Sequence, residues 1–132
     1  QGAVINISSI VSLAPELLNG VYGGSKAYVT AFTQSLHKEL AEKGIKTQAV
    51  LPGATATDLW QIGGLPLENL DPAIVMSAED LVDGALQDFD DNVLISLPSI
   101  HDLQAFERYE ASRRALFSQL SSKQLAPRYS AK

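Results

Sequence analysis

The 132-residue chain contains no cysteine, which excludes both a disulfide framework and a cysteine-based zinc site. It also lacks any apolar stretch approaching the roughly 20 residues that a membrane-spanning helix needs, and no signal-peptide pattern opens it. Hydrophobic residues make up 45% of the chain and charged residues 19%, which is ordinary for a globular protein. The length predicts about one domain. The other features predict a cytoplasmic protein without a membrane partner.

Basic residues are missing from one long segment. Residues 57–107 carry eleven Asp and Glu and no Lys or Arg, which argues against nucleic-acid binding there. Residues 108–132 carry six basic residues and one acidic residue, with no interleaved aromatic pattern. That composition is typical of a solvated face or a subunit contact, so no nucleic-acid partner is expected.

The first part of the chain predicts a strand, a long helix and a second strand. Residues 3–8 form an apolar run too short for a helix, which predicts a buried strand. After a loop over 10–21, residues 21–43 show a helical apolar repeat. The repeated residues are Tyr28, Phe32, Leu36 and Leu40. Gly44 is a typical C-terminal glycine, and residues 45–51 form the second strand, so the pattern predicts a parallel βαβ unit.

The rest of the chain continues the alternation of helix and strand. Residues 57–76 predict a loop with short helical pieces. Ser77 is a typical N-cap for a helix that ends near residue 89, and a strand over 93–97 follows. A helix-rich extension covers 102–121. Three strands and three helices predict the fold class α/β, as the C-terminal half of a doubly wound, Rossmann-like parallel sheet whose N-terminal half lies elsewhere.

Tyr22 and Lys26 lie four residues apart at the start of the long helix, so their side chains share one helix face. A phenol has a reference pKa of about 10 and carries protons poorly at neutral pH, but an adjacent ammonium favours the phenolate. The pair Ser8-Ser9 follows the first strand, and Ser9 lies 13 residues before Tyr22. Together these groups suit proton transfer to a carbonyl or from an alcohol. Taken alone, Tyr22 and Lys26 could equally be a surface pair.

Two strand ends and one helix start converge on the same region. Ser9 comes just after the first strand, and the second strand ends at the sequence P-G-A-T-A-T of residues 52–57. Open α/β sheets bind ligands at the carboxyl ends of their strands. The sequence therefore predicts a ligand crevice at this edge of the sheet.

These motifs together resemble the short-chain dehydrogenase/reductase family. The segments N-I-S-S and Y-G-G-S-K are followed, 26 residues after the lysine, by P-G-A-T-A-T. The resemblance covers residues 1 to about 97 and implies NAD or NADP as the cofactor. It also implies hydride transfer between the nicotinamide and a small-molecule carbonyl or alcohol. Residues 1–97 would then be the C-terminal part of a dinucleotide-binding and catalytic domain, and residues 98–132 an extension.

The resemblance also implies catalytic roles for three side chains. Tyr22 would be the general acid in reduction and the general base in oxidation. Lys26 would hydrogen-bond the nicotinamide ribose and favour the phenolate. Ser9 would hydrogen-bond the substrate oxygen and steady the charge that develops there. Ser8 competes for this last role, but the 13-residue spacing favours Ser9, and strand alternation places the two hydroxyls on opposite sides.

The turn after the second strand would complete the cofactor contacts. Pro52 and Gly53 would let the backbone approach the nicotinamide. Thr55, through its backbone, and Thr57, through its hydroxyl, would hold the carboxamide and the phosphate side. The cofactor-binding residues implied by the resemblance are Tyr22, Lys26, Pro52, Gly53, Thr55 and Thr57.

The family's glycine-rich phosphate loop, T-G-x-x-x-G-x-G, is absent from the sequence. We therefore expect the 132 residues alone to bind dinucleotide poorly, because nothing in them cradles the pyrophosphate. An alternative is a non-catalytic remnant or an assembly module. In the family the long helix commonly packs against a neighbouring subunit, which predicts a homo-oligomer formed through residues 22–43.

The remaining candidates have simpler interpretations. His37 and His101 belong to no metal-ligand spacing and are expected to be surface or packing residues, so no metal site is predicted. Asp58 is expected to cap a short helix. Trp60 and Ile62 fall where the family covers its substrate, and could line an apolar pocket or pack in the core.

Overall fold

The computed structural model describes residues 2–56 and 71–129, and it divides the chain into two compact units, Gln1–Ser99 and Ile100–Lys132. The strands are β1 (Gly2–Ile7), β2 (Ile45–Val50), β3 (Thr55–Ala56), β4 (Met76–Ser77) and β5 (Ile95–Ser96). The helices are α1 (Gly20–Ala41), α2 (Ala78–Asp90) and α3 (Leu103–Ala115). Among the described residues, no helix is long and apolar enough to cross a membrane.

The first unit is built on a three-stranded parallel sheet in the order β1-β2-β5. β1 and β2 pair from Gly2 opposite Ile45 to Ile7 opposite Val50, and α1 connects them along the chain. The predicted α/β class and the parallel βαβ unit are therefore confirmed. β5 pairs with β2 only at Ile95 and Ser96, which makes it shorter than the predicted strand over 93–97.

The prediction that β1 is a buried strand was wrong. Ile5 is 42% exposed and Ile7 58%, whereas Val4 and Asn6 on the alternate positions are half-buried. Asn6 reaches α1, where its amide donates to Thr33 Oγ1 at 2.9 Å. One face of this edge strand thus packs against α1, while no described residue covers the other face.

The core of this unit lies on β2 and β5. Its buried apolar residues are Ala49, Val50, Leu51, Ala85, Ile95 and Leu97. α1 buries small or polar residues, Gly23, Thr30 and Thr33. The apolar repeat that predicted α1 lies partly on its exposed side, where the rings of Tyr28 and Phe32 stack with centroids 5.6 Å apart.

The helix ends follow local sequence signals. α1 ends at Ala41, and Gly44 adopts a positive φ of 72°, with its N–H donating to the Ala41 carbonyl at 3.1 Å. This is the C-terminal glycine that the sequence predicted. α2 begins as predicted, since the Asp80 N–H donates to Ser77 Oγ at 3.1 Å.

A second, two-stranded sheet was not predicted. β3 pairs with β4 in parallel, with Thr55 opposite Met76 and Ala56 opposite Ser77. This ladder joins the turn after β2 to the start of α2. Most of the predicted loop over 57–76 lies outside the described residues, and only its last part, including a short 3-10 helix at Pro72–Ile74, is seen.

The second unit contains α3 and two 3-10 helices, Leu116–Gln119 and Pro127–Tyr129. α3 and the adjoining 3-10 helix together span residues 103–119, close to the predicted helix-rich extension over 102–121. Asp102 caps α3, accepting from the Ala105 N–H at 3.3 Å. Near its end Arg113 donates to both carboxylate oxygens of Glu110, at 2.7 and 3.1 Å, and this hydrogen bonding raises the pKa of the Arg113 guanidinium.

Candidate active site

The segment around Ser9 follows β1 and stays bound to the end of β2. The Ser8 N–H donates to the Val50 carbonyl at 2.8 Å, and the Ile10 N–H donates to the Pro52 carbonyl at 2.9 Å. Ser9 itself is in extended conformation and only 7% exposed. These bonds place Ser9 at the carboxyl ends of two adjacent parallel strands, which is where open α/β sheets bind ligands.

The two adjacent serine hydroxyls have different environments. Ser8 Oγ donates to the Lys26 carbonyl at 2.8 Å and lies 2.8 Å from Thr30 Oγ1, so it is committed to α1. Ser9 Oγ accepts from the Val11 N–H at 3.2 Å and thereby caps the 3-10 helix Ile10–Leu13. No acceptor for the Ser9 hydroxyl hydrogen lies within residues 2–56 and 71–129. The Ser9 hydroxyl therefore keeps a hydrogen to donate.

Tyr22 lies in the first turn of α1. Asn19 caps that turn, accepting from the Tyr22 N–H at 2.9 Å, whereas the sequence predicted a loop through residue 21. The Lys26 ammonium lies 5.7 Å from the centroid of the Tyr22 ring, so the two side chains share a face as the spacing predicted. Neither the Tyr22 hydroxyl nor the Lys26 ammonium has a hydrogen-bond partner in the described part of the chain. Both groups are available to a ligand.

A close backbone contact fixes the position of this turn. A Cβ added at Gly23 would lie 2.5 Å from the Pro15 carbonyl oxygen, which is closer than any real side chain tolerates. Pro15 opens the 3-10 helix Pro15–Leu17, which belongs to the connection between Ser9 and α1. The glycine at position 23 therefore lets that connection lie directly against the helix turn bearing Tyr22.

The turn after β2 lies at the same end of the sheet as the Ser9 segment. Its Pro52 carbonyl accepts from the Ile10 N–H, and Thr55 Oγ1 donates to the Gly53 carbonyl at 3.0 Å. A Cβ added at Gly53 would lie 3.1 Å from Ser99 Oγ, so the side chain of Ser99 packs closely against the Gly53 backbone. Thr57 lies outside the described residues, as do Asp58, Trp60 and Ile62.

His37 lies away from this region. His37 Nδ1 is 2.9 Å from Thr47 Oγ1, and it lines a cleft of about 250 Å³ at the beginning of β2, the opposite end from Pro52. His101 is exposed in the second unit. Within the described ranges, no three His, Asp or Glu side chains come together as a metal site.

The sequence did not predict the polar contacts that α1 makes with β1 and with the segment after β1. Thr30 Oγ1 donates to Ser12 Oγ at 2.8 Å and contacts Ser8, and Thr33 bonds Asn6. The only sequence signal was that Thr30 and Thr33, three residues apart, fall off the apolar repeat of the helix. Which strand residues they meet depends on tertiary packing.

Known proteins share this sequence and fold. The short chain dehydrogenase family matches residues 1–63. An uncharacterized oxidoreductase of Staphylococcus epidermidis is 38% identical over 81 residues, which make up 57% of this chain and 35% of the relative.

Two solved structures match almost the whole chain. A short-chain dehydrogenase from Sphingobium yanoikuyae in complex with NADPH superposes with a TM-score of 0.88 at 38% identity, covering 96% of this chain and 49% of that one. A bulky-bulky ketone specific alcohol dehydrogenase from Comamonas testosteroni has a TM-score of 0.77 at 37% identity, covering 96% of this chain and 46% of that one.

The fold is Rossmann-like, with hydroxyl groups gathered at its strand ends. The chain is similar to the short-chain dehydrogenase/reductase family in its motifs, in the family match over residues 1–63 and in its likeness to two solved structures. It spans about half the length of the two solved structures and about a third of the Staphylococcus relative.

Proposed function

We propose that this chain supplies the proton-handling part of an NAD(P)-dependent oxidoreductase that interconverts a carbonyl and an alcohol. One observation carries the proposal. Ser9, Tyr22 and Lys26 keep their polar groups available, whereas the neighbouring hydroxyls of Ser8 and Thr30 are committed to structural hydrogen bonds. A donor hydroxyl, a phenol and an ammonium are together the set of groups that carbonyl reduction needs.

Each of the three residues has a separate task. In reduction Tyr22 donates its hydroxyl proton to the substrate oxygen, and in oxidation the phenolate accepts that proton. Lys26 places a positive charge 5.7 Å from the centroid of the Tyr22 ring, on the same helix face. Ser9 donates a hydrogen bond to the substrate oxygen, which stabilises the negative charge that develops there.

The donor set fits the nicotinamide side of NAD or NADP. Lys26 and Tyr22 would hold the ribose, and the Pro52, Gly53 and Thr55 backbone would hold the nicotinamide, with Thr57 as a further contact. When bound, the cofactor supplies or accepts the hydride. The NADPH found in the Sphingobium yanoikuyae relative supports this choice. Nothing in the sequence matches the glycine-rich phosphate loop, so the 132 residues lack that cradle for the pyrophosphate.

Cofactor affinity tests this division of labour. Isothermal titration of NADPH into the 132-residue chain is expected to show binding weaker than micromolar, because only the nicotinamide end finds donors. The full-length protein containing these residues is expected to bind NADPH and to oxidise it when given small ketones or aldehydes. Micromolar affinity in the 132 residues alone would contradict the division. A full-length protein that oxidises no NADPH with any carbonyl would contradict the oxidoreductase assignment.

A second candidate function is assembly through α1. The stacked rings of Tyr28 and Phe32 are 65% and 44% exposed, which is unusual for large apolar side chains on a long helix. We infer that this stripe on residues 22–43 packs against a second copy of the chain. This role is compatible with catalysis, and it becomes the sole function if the full-length protein proves inactive.

A further inference from the structure

We propose that Ser8, Ser12 and Thr30 form a hydroxyl clamp that positions Ser9 against the part of α1 that carries Lys26. The clamp consists of these three side chains. It deepens the proposed function, on which it rests, by adding Thr30 and its partners as positioning residues. None of the three would touch the substrate or the cofactor.

Thr30 is the centre of the clamp. Its hydroxyl donates to Ser12 Oγ at 2.8 Å and lies 2.8 Å from Ser8 Oγ. Ser8 and Ser12 flank Ser9 in the chain, one residue before it and three after it. A single threonine on α1 therefore ties down both sides of the segment that bears Ser9.

Two further bonds connect the clamp to the catalytic groups. Because the Thr30 hydrogen goes to Ser12, the single hydrogen of the Ser8 hydroxyl is shared between Thr30 Oγ1 and the carbonyl oxygen of Lys26, each 2.8 Å from Ser8 Oγ. The Ser12 N–H donates to the Ser9 carbonyl at 3.0 Å, so the position of Ser12 sets the position of the Ser9 backbone. The side chain of Ser9 takes no part in these contacts and remains free to meet a substrate.

Two of the three clamp residues are buried, so their hydrogen bonds restrict how the segment can move. Ser8 is 3% exposed and Thr30 8%. Apolar contacts are non-directional and tolerate small sliding movements, but buried hydroxyls must keep their partners at hydrogen-bond distance, because a lost bond leaves an unsatisfied polar group. Since a misplacement of about 1 Å can cost about a hundredfold in rate, such constraints matter most next to catalytic groups.

The same strand and helix provide a matched control. One turn further along α1, Thr33 Oγ1 donates to the Val29 carbonyl at 2.7 Å and accepts from Asn6 at 2.9 Å. Thr33 is fully buried and joins α1 to β1, whereas Thr30 joins α1 to the segment that follows β1. It contacts neither the residues flanking Ser9 nor the Lys26 carbonyl. Thr30→Val and Thr33→Val are therefore the same isosteric substitution with different expected consequences.

Steady-state kinetics of the full-length protein test the clamp. Thr30→Val is expected to lower kcat about tenfold, because Ser9 is no longer held in position. KM for the carbonyl and Kd for NADPH should change less than about threefold, because no group that binds either ligand is removed. Thr33→Val is expected to leave kcat within about twofold of the wild type, with a comparable loss of thermal stability. Thr30→Ser keeps the hydroxyl and is expected to restore kcat to within about threefold.

Amide hydrogen exchange gives a second measurement that does not depend on turnover. In the full-length protein, Thr30→Val is expected to speed exchange in residues 8–14 about tenfold, and Thr33→Val to leave that segment unchanged. Equal kcat losses in the two valine variants, a Thr30→Ser variant as slow as Thr30→Val, or unchanged exchange in residues 8–14 would each overturn the clamp. A wild-type protein without turnover would instead refute the proposed function, and the exchange result would still decide the clamp.

Discussion

Tyr22→Phe in the full-length protein is expected to lower kcat for carbonyl reduction by about a thousandfold, the scale of a lost general acid. The substitution removes only the hydroxyl, which has no hydrogen-bond partner among the described residues, so the fold and the contact between the ring and Lys26 are kept. Affinity for NADPH should stay close to that of the wild type. Steady-state kinetics and a cofactor titration of the same preparation measure both quantities.

Tyr28→Phe is the matched control for this experiment. Tyr28 lies on the same helix, is 65% exposed and stacks on Phe32 through its ring, so loss of its hydroxyl should change neither kcat nor the stacking. A Tyr22→Phe enzyme that keeps its activity, or a Tyr28→Phe enzyme that loses as much as Tyr22→Phe, would refute the assignment of Tyr22 as the proton donor.

Gly23→Ala is expected to destabilise the chain by about 2–3 kcal/mol, at the upper end of the cost of overpacking. The new Cβ would lie 2.5 Å from the Pro15 carbonyl oxygen, and this obstacle is backbone, which cannot rotate away. Relief requires the connection before α1 to move off the helix turn that bears Tyr22. Activity should therefore fall along with stability, which urea unfolding followed by circular dichroism measures.

Gly24→Ala tests the same substitution one residue along the helix. An added Cβ at Gly24 meets nothing within 4 Å, so alanine should stabilise the helix by about 0.5–1 kcal/mol through its better helix propensity. Opposite signs of the change in unfolding free energy are expected for the two variants. Equal changes would show that Gly23 is not in contact with Pro15.

Features that depend on local sequence were predicted from the sequence alone. The individual strands and helix of the βαβ unit, the terminating glycine at Gly44 and the cap at Ser77 each follow from patterns of neighbouring residues. The exposed face of β1 was not predicted, because an apolar run reads the same whether or not another element covers it. The β3–β4 ladder was missed because two paired residues on each strand give no periodic signal.

In the candidate site, too, motif spacing was predictable from the sequence, whereas contacts between residues far apart in the chain were not. Spacing identified Ser9, Tyr22 and Lys26, and strand alternation placed Ser8 on the opposite side from Ser9, where it bonds to α1. The contact of Ser12 with Thr30 joins residues 18 positions apart. Such a pair could not be predicted, because neither residue carries a local signal for the other.

Transfer of deuterium from the nicotinamide of deuterated NADPH to a carbonyl substrate tests the central claim most directly. The full-length wild-type protein is expected to place the label on the carbinol carbon of the alcohol product, and the Tyr22→Phe variant to form almost no labelled alcohol. Labelled alcohol formed equally well by the two proteins, or no labelled alcohol from the wild type with any carbonyl, would contradict the assignment of Ser9, Tyr22 and Lys26 as a hydride-transfer site.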